Sequence, residues 1–450
     1  MRSTLPTFDE VWQRQSRTCI LKDAETFFPE KKFLIGCSGG MDSMLLLHLF
    51  AFLFPMRVRA IYVDHQLQDP SASWGQFVQD FALKQQIDCV ICPVAVSQGN
   101  LESEARKSRY QAFQQHLQAD EVLVLAHHQQ DQAETVLLRL LSGAGVTGLG
   151  AMKAIDLRDD MMIWRPFLDL SRQQIETWAT SIHLRHITDP TNIDTHFDRA
   201  WAREVLWPVL TSRFPKMQTS IARTAILMQD AQDILAEVTQ ADLKACVQDE
   251  VLDITCFSDL SLARQRQVVS TWMMADTHYR PSFQMVDRLL NDVIHARVDA
   301  QTALFCKPYW YTRFQGKIYQ LMPDQYRAKD LDIITETDIQ FTMHCPVHVL
   351  SGDFTVLPQQ KMGLSDQLLG QSLRLVTRQG GEKIHFYGRV GRWPLKKAIQ
   401  DAHIFPWLRH RVQILYRDNA ILGVFTPQGF WLAHSDACQQ GGWLPKLCIS

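Results

Sequence analysis

Residues 38–43, Ser-Gly-Gly-Met-Asp-Ser, restrict what this chain can fold into more than any other segment. They follow the apolar run Lys-Phe-Leu-Ile-Gly-Cys and lead into Met44-Leu-Leu-Leu-His-Leu-Phe50. Strand, glycine turn and helix in that order make an anion site. Backbone N–H groups of the turn and the helix start point at one spot, and the helix dipole favours negative charge there. Gly39 and Gly40 let the backbone approach a phosphate closely, Met41 closes the turn, and Ser38 and Ser43 add hydroxyl donors. The common phosphate loop needs a lysine after its last glycine, and none follows here. Asp42 stands where that cation would be. A carboxylate in that place points to a pyrophosphate bridged by Mg2+, which joins carboxylate to phosphate oxygens.

A chain of 450 residues holds two to four domains. Up to residue 215 strand and helix signals alternate. Strands are predicted at 33–37, 58–63, 89–94 and 121–126, and helices at 42–54, 71–86, 101–117 and 131–141. That alternation predicts βαβ units, so the fold class is α/β with a doubly wound parallel sheet in domain 1–215. Ligands of such sheets bind at the carboxyl ends of the strands, where residues 38–43 and 126–135 both fall. Apolar spacing predicts a mostly helical domain over 216–325. A connecting region follows at 326–372, and a small α/β C-terminal domain at 373–450.

Composition narrows the function classes. A formal net charge of −2 argues against a wholly basic nucleic-acid binder but leaves room for local patches. No run approaches 18 uncharged apolar residues, and the first residues lack a signal-peptide core, so no membrane role is expected. Ten cysteines are too sparse for a disulfide scaffold, which makes a reduced cytoplasmic setting the default. The pair Cys89-Val-Ile-Cys92 sits in an apolar run and reads as a strand with cysteine as a small hydrophobe.

Four further constellations carry chemistry. His127, His128, Asp131 and Glu134 lie where a strand end meets a helix start, with the two acids three residues apart on one face. Two carboxylates and two imidazoles can bind a metal, move protons or hold a cationic substrate. Arg106 and Arg109 lie three apart on another helix, a pattern that alone fits a solvated face. Next come Asp189-Pro-Thr-Asn192 and Phe197-Asp-Arg199-Ala-Trp-Ala-Arg203. Last, residues 378–417 hold nine Lys/Arg against Glu382 and Asp401, a local charge of +7, with Trp393, Trp407 and Tyr416 interleaved. Concentrated positive charge with aromatics is the pattern that RNA backbone and unpaired bases call for.

Residues 38–43 resemble the pyrophosphate loop (PP-loop) of the N-type ATP pyrophosphatases, which have the adenine nucleotide α-hydrolase-like fold. Together with 100–110, 126–135, Arg165-Pro-Phe-Leu168, 189–192, Leu395-Lys-Lys397 and Pro406-Trp-Leu-Arg409, they resemble the bacterial tRNA(Ile)-lysidine synthetases. The resemblance implies ATP and Mg2+ as cofactors and two partners, tRNA(Ile) with a CAU anticodon and free L-lysine. It implies that ATP adenylates C2 of the wobble cytidine and that lysine then displaces AMP. Residues 38–43 would hold ATP, Asp42 the metal, and Asp42, His127, Asp131 and Glu134 would be catalytic. Arg106, Arg109, Asn192, Arg199, Arg203, Lys396, Lys397 and Arg409 would meet tRNA or lysine, with domains 216–325 and 373–450 serving tRNA recognition. A homodimer is compatible with all of this. Two departures stand out: the family's two successive aspartates are Gln130-Asp131 here, and its Arg-Asn is Arg199-Ala200.

Overall fold

The computed structural model describes residues 5–68, 70–97, 101–274, 280–297, 302–326 and 336–448. The chain forms two compact units, Met1–Glu237 and Val238–Ser450.

In the first unit β1 (Lys32–Gly36), β2 (Val58–Asp64), β3 (Asp88–Pro93), β4 (Glu121–Val124), β5 (Ile155–Arg158) and β6 (Met161–Trp164) make one sheet, ordered β3-β2-β1-β4-β6-β5. The first four and β6 run parallel, and β5 turns back on β6 as an antiparallel edge. The four predicted strands are present within one or two residues at each end. The β5–β6 hairpin was not foreseen: its strands have four residues each, as β4 does, but lack an apolar run as long as the one within 121–126 that marks β4. The helices are α1 (Val11–Phe27), α2 (Met41–Leu53), α3 (Ser71–Lys84), α4 (Leu101–His116), α5 (Gln129–Leu141), the single turn α6 (Val146–Leu149) and α7 (Arg172–Ser181).

Strand alternation explains how both faces are covered. Phe33 and Ile35 point into one core with α1, α2, α3 and α7, while Leu34 points into the other with Tyr110 and Phe113 of α4. Helix α2 is buried from Ser43 to Phe50, which is why its sequence is apolar all round rather than striped. The same alternation separates the C-x-x-C pair. Cys89 packs against the α1–α2 core and Cys92 lies in the α4 core, on opposite faces of the sheet. Burial pushes the Cys89 thiol up to about 12 and the Cys92 thiol up as well, so both are held protonated.

The second unit departs further from expectation. Helices Leu262–Met274 and Phe283–Arg288 are present, as is Met217–Cys246, which crosses from the first unit. They are joined by a five-stranded antiparallel sheet built from Val247–Gln248, Val251–Asp253 and three strands between Ala303 and Leu321. Region 216–325 is mostly helical, as expected, and the short strands add a sheet that the helical spacing did not announce. Region 336–372 is not a connector. Glu336–Ile339 pairs with Leu373–Thr377, and Gly352–Pro358 pairs with Trp443–Leu447. Residues 336–448 thus share two five-stranded sheets with the short helix Leu395–Asp401.

Trp407 is core. It stacks on Phe405 at 4.9 Å and meets Tyr319 at 5.0 Å, tying the strands near 314–319 to the basic segment. We expect Trp407→Ala to lower stability by about 3–5 kcal/mol through the cavity it leaves, read as a fall in urea midpoint. A midpoint shift of under 0.5 kcal/mol equivalent would contradict this packing.

Candidate active site

The strand order reverses between β1 and β4, because β1→β2→β3 builds one way and β4 returns to the other side of β1. The segments following β1 and β4 therefore open a crevice at the carboxyl ends, the usual ligand position of such sheets. Residues 38–43 follow β1, and 126–134 follow β4.

In the loop Gly39 has φ +83, a conformation that L side chains rarely adopt. A Cβ there would lie 2.6 Å from Ile187 Cδ1, and the Ile187 N–H donates to the Gly39 carbonyl at 2.9 Å. Gly40 caps α2 from extended backbone, so Met41 and Asp42 open the helix. The Ser43 hydroxyl accepts from the Ser38 N–H at 3.2 Å and donates to the Gly40 carbonyl at 3.0 Å. These bonds fix the turn before any ligand arrives.

Asp42 is held near cations but not satisfied by them. Its Oδ2 lies 3.8 Å from His128 Nε2 and 3.6 Å from Arg172 Nη1. Its Oδ1 is buried without a hydrogen-bond partner among the described residues. Burial raises its carboxyl above the usual range, although His128 and Arg172 pull the other way. A buried carboxylate oxygen with nothing to bond, beside a phosphate cradle, fits Mg2+, which takes one or two carboxylates and completes its shell with water and phosphate oxygens.

At the second segment the His128 N–H donates to Asp131 Oδ2 at 2.9 Å, and His128 Nε2 lies 3.5 Å from the same oxygen. Burial opposes ionisation of Asp131, yet His128, His127 and that N–H prevail and hold it below the usual carboxylate range. Burial pushes His127 down to about 3, with Arg165, Arg106 and Arg199 adding to the effect against Asp131. His127 is thus a neutral imidazole at neutral pH, with a buried Nδ1 that has no partner among the described residues.

Glu134, expected among the catalytic residues, has its oxygens engaged within the protein. It is fully buried, and Arg203 clasps it in a fork, Nε to Oε1 at 3.0 Å and Nη2 to Oε2 at 2.9 Å. The Gln130 amide donates to Oε1 at 2.9 Å. Both oxygens are committed, so Glu134 anchors α5, and Arg203 is its counterion rather than a free substrate group. Gln130 has a physical reason: an aspartate there would face Glu134 with a second negative charge. Ala200 is the buried residue of the single turn α8 (Asp198–Trp201).

The remaining arginines gather at the same end of the sheet. Arg106 lies over the Tyr110 ring at 5.0 Å. Arg109 Nε donates to Nε2 of His65, which follows β2, at 3.3 Å. Arg199 pairs with Glu102 at 3.2 Å. The side chain of Asn192 lies outside the described residues. In the second unit Lys396 and Lys397 are exposed, and Lys397 sits 5.5 Å from the Trp393 ring. Arg409 is half-buried, and its Nε donates to the Ile404 carbonyl at 3.0 Å. Arg172 was missed by the sequence reading. Ser171-x-x-Gln174, a capping-box signature, marks it as the first residue of a helix, but nothing local says which loop that helix start would face.

Loop, switch point and orphaned carboxylate define a PP-loop ATP-using domain, and residues 10–210 match the PP-loop domain family. Residues 252–319 match the TilS substrate binding domain and 373–444 the TilS substrate C-terminal domain. The chain belongs to the tRNA(Ile)-lysidine synthase family: it is 57% identical over 447 residues to that enzyme of Acinetobacter baylyi, covering 99% of this chain and 97% of the relative. It is 33% identical to that of Alkalilimnicola ehrlichii, covering 88% and 89%. Among solved structures it is similar to the U34-tRNA thiolase NcsA of Methanococcus maripaludis, at 16% identity and TM-score 0.40, over 49% of this chain and 81% of that one.

The raised Asp42 carboxyl gives a signed prediction. An acid whose folded pKa is raised penalises the fold when ionised, and the penalty fades as pH falls through that pKa. Asp42→Asn removes it. Without nucleotide, the variant should melt above the parent at pH 8, and the gap should close towards pH 4. Its tRNA-dependent pyrophosphate release should fall by about 10²-fold or more. A variant that melts lower at pH 8, or releases pyrophosphate normally, contradicts this account of Asp42.

Proposed function

We propose that this chain joins free L-lysine to C2 of the wobble cytidine of tRNA(Ile) with a CAU anticodon, giving lysidine, AMP and pyrophosphate. One observation carries the reading: in a chain of this family, a loop shaped for phosphates holds a buried Asp42 oxygen that has no partner among the described residues. Backbone N–H groups of residues 38–43 and the hydroxyls of Ser38 and Ser43 would hold the phosphates of ATP. Asp42 would hold Mg2+, which when bound spreads the charge of the pyrophosphate being released. The cytidine C2 oxygen attacks the α-phosphorus, and the bond to the β-phosphate bridge breaks. Lysine nitrogen then attacks C2 and expels AMP.

The second cluster suits orienting lysine better than storing its proton. Asp131, anionic at neutral pH, would hold an ammonium group. His127 with a pKa of about 3 would be protonated only about once in 10⁴ at pH 7, so it serves as a hydrogen-bond acceptor. Free lysine is itself neutral at its ε-nitrogen about once in 2,500 at pH 7. The scarcity of reactive amine should make incorporation rise with pH through the neutral range. Glu134 and Arg203 keep α5 in place beneath this cluster, and Arg106, Arg109 and Arg199 offer positive charge to the tRNA backbone.

No helix among the described residues is long and apolar enough to cross a membrane. The setting we infer is the cytoplasm, where tRNA, ATP and lysine occur together. Incubation with labelled lysine, ATP and total bacterial tRNA tests the reading. Label should enter a single isoacceptor, and label in none, or in many, would contradict it.

Tandem substitution of Lys396 and Lys397 by alanine tests the basic segment. Each lost phosphate contact should flatten the log–log salt dependence of tRNA binding by roughly 0.7–0.9. An unchanged slope would mean that this face is only solvated surface. Arg409 is left out because its guanidinium already supports the chain at Ile404.

A further inference from the structure

The loop 38–43 contains no lysine or arginine, and the cation that faces it comes from elsewhere. Arg172 is the first residue of α7. Its backbone is fixed by a capping box, in which the Ser171 hydroxyl accepts from the Gln174 N–H at 3.3 Å and the Ser171 N–H donates to Gln174 Oε1 at 2.9 Å. The residue before the cap ties this corner to the second cluster, because the Gln129 N–H donates to the Leu170 carbonyl at 2.9 Å. The guanidinium is held on one edge by Glu176, Nε to Oε1 at 3.2 Å, and turns Nη1 towards Asp42 Oδ2 at 3.6 Å.

The contrast with Arg203 is decisive. Arg203 makes two short bonds to Glu134 in a fork. Arg172 makes one long contact to Asp42 and keeps 36% of its side chain exposed. The first pair is a fixed anchor. The second is a loose pair in which each partner can be taken over by a better one.

We propose that Arg172 is the residue that receives the departing pyrophosphate. This rests on the nucleotide reading of the loop given above. With ATP in the loop, Asp42 would hold the metal and Arg172 would turn to the oxygens of the β- and γ-phosphates. When the C2 oxygen bonds to the α-phosphorus, the α–β bridging bond breaks and its electron pair goes to the pyrophosphate oxygen. The planar guanidinium, which can face two phosphate oxygens at once, meets the charge that develops there. Arg172 thus supplies from α7 what a loop lysine supplies in other phosphate sites.

The test is calorimetric titration of the full chain with magnesium pyrophosphate and, separately, with AMP. Wild-type protein should bind both. Arg172→Ala should weaken pyrophosphate binding by at least tenfold and leave AMP binding within twofold, which also reports an intact fold. Arg172→Lys keeps the charge but not the fork and should recover part of the loss. Unchanged pyrophosphate affinity in Arg172→Ala overturns the role of Arg172 alone, as does an equal loss of AMP and pyrophosphate by that variant. Wild-type protein that binds neither ligand overturns the nucleotide reading and the role of Arg172 with it.

Discussion

A buried carboxylate oxygen with no partner among the described residues is the constraint around which the first unit is arranged. Asp42 is placed by the first turn of α2, a helix too apolar to lie anywhere but between sheet and helices. The glycine turn before it is locked by Ser43 and Ile187 and cannot swing away. Arg172 and His128 approach the other Asp42 oxygen only to 3.6 and 3.8 Å, so burial of the charge is not fully compensated. The fold therefore keeps a standing demand for a cation at the spot where backbone N–H groups call for an anion. A metal-bound polyphosphate answers both at once.

The rest of the site serves to hold this corner open. The Glu134–Arg203 fork fixes α5 from beneath, so that Asp131 and His128 stay within reach of Asp42. Gln130 completes the coordination of Glu134 with a neutral donor. Breaking a buried pair of this kind leaves an uncompensated charge, typically about 3–5 kcal/mol unfavourable. That penalty is why the carboxylate deepest in the cluster is the least available for chemistry, while the shallower Asp131 stays partly exposed.

The parts legible in the sequence were those whose signal is local. Six residues between an apolar run and an apolar helix announced the loop, and four parallel strands showed themselves by their apolar runs, β4 included although it has only four residues. Burial patterns that depend on neighbours did not. Glu134 and Asp131 look alike in sequence, three residues apart on one helix; only the tertiary partner Arg203, 69 residues on, tells anchor from ligand. Arg172 was hidden because its role comes from the packing of α7 against α2. Strands of two to four residues, at Val247–Gln248, Glu336–Ile339 and in the β5–β6 hairpin, carry too short a period to read; β4 is as short but lies in a continuous apolar run with every residue buried. Trp407 lies in a basic segment, yet its neighbours Phe405 and Tyr319 put it in the core.

The claim at the centre of this account is that ATP is split between its α and β phosphates to place AMP on tRNA before lysine acts. A quench experiment with excess enzyme, labelled ATP and tRNA(Ile), first without lysine, tests it most directly. The account predicts one pyrophosphate released per tRNA, with AMP remaining attached to the tRNA. Adding lysine should then release AMP in step with lysine incorporated. Appearance of ADP and phosphate, or free AMP at the same rate as pyrophosphate without lysine, would contradict it.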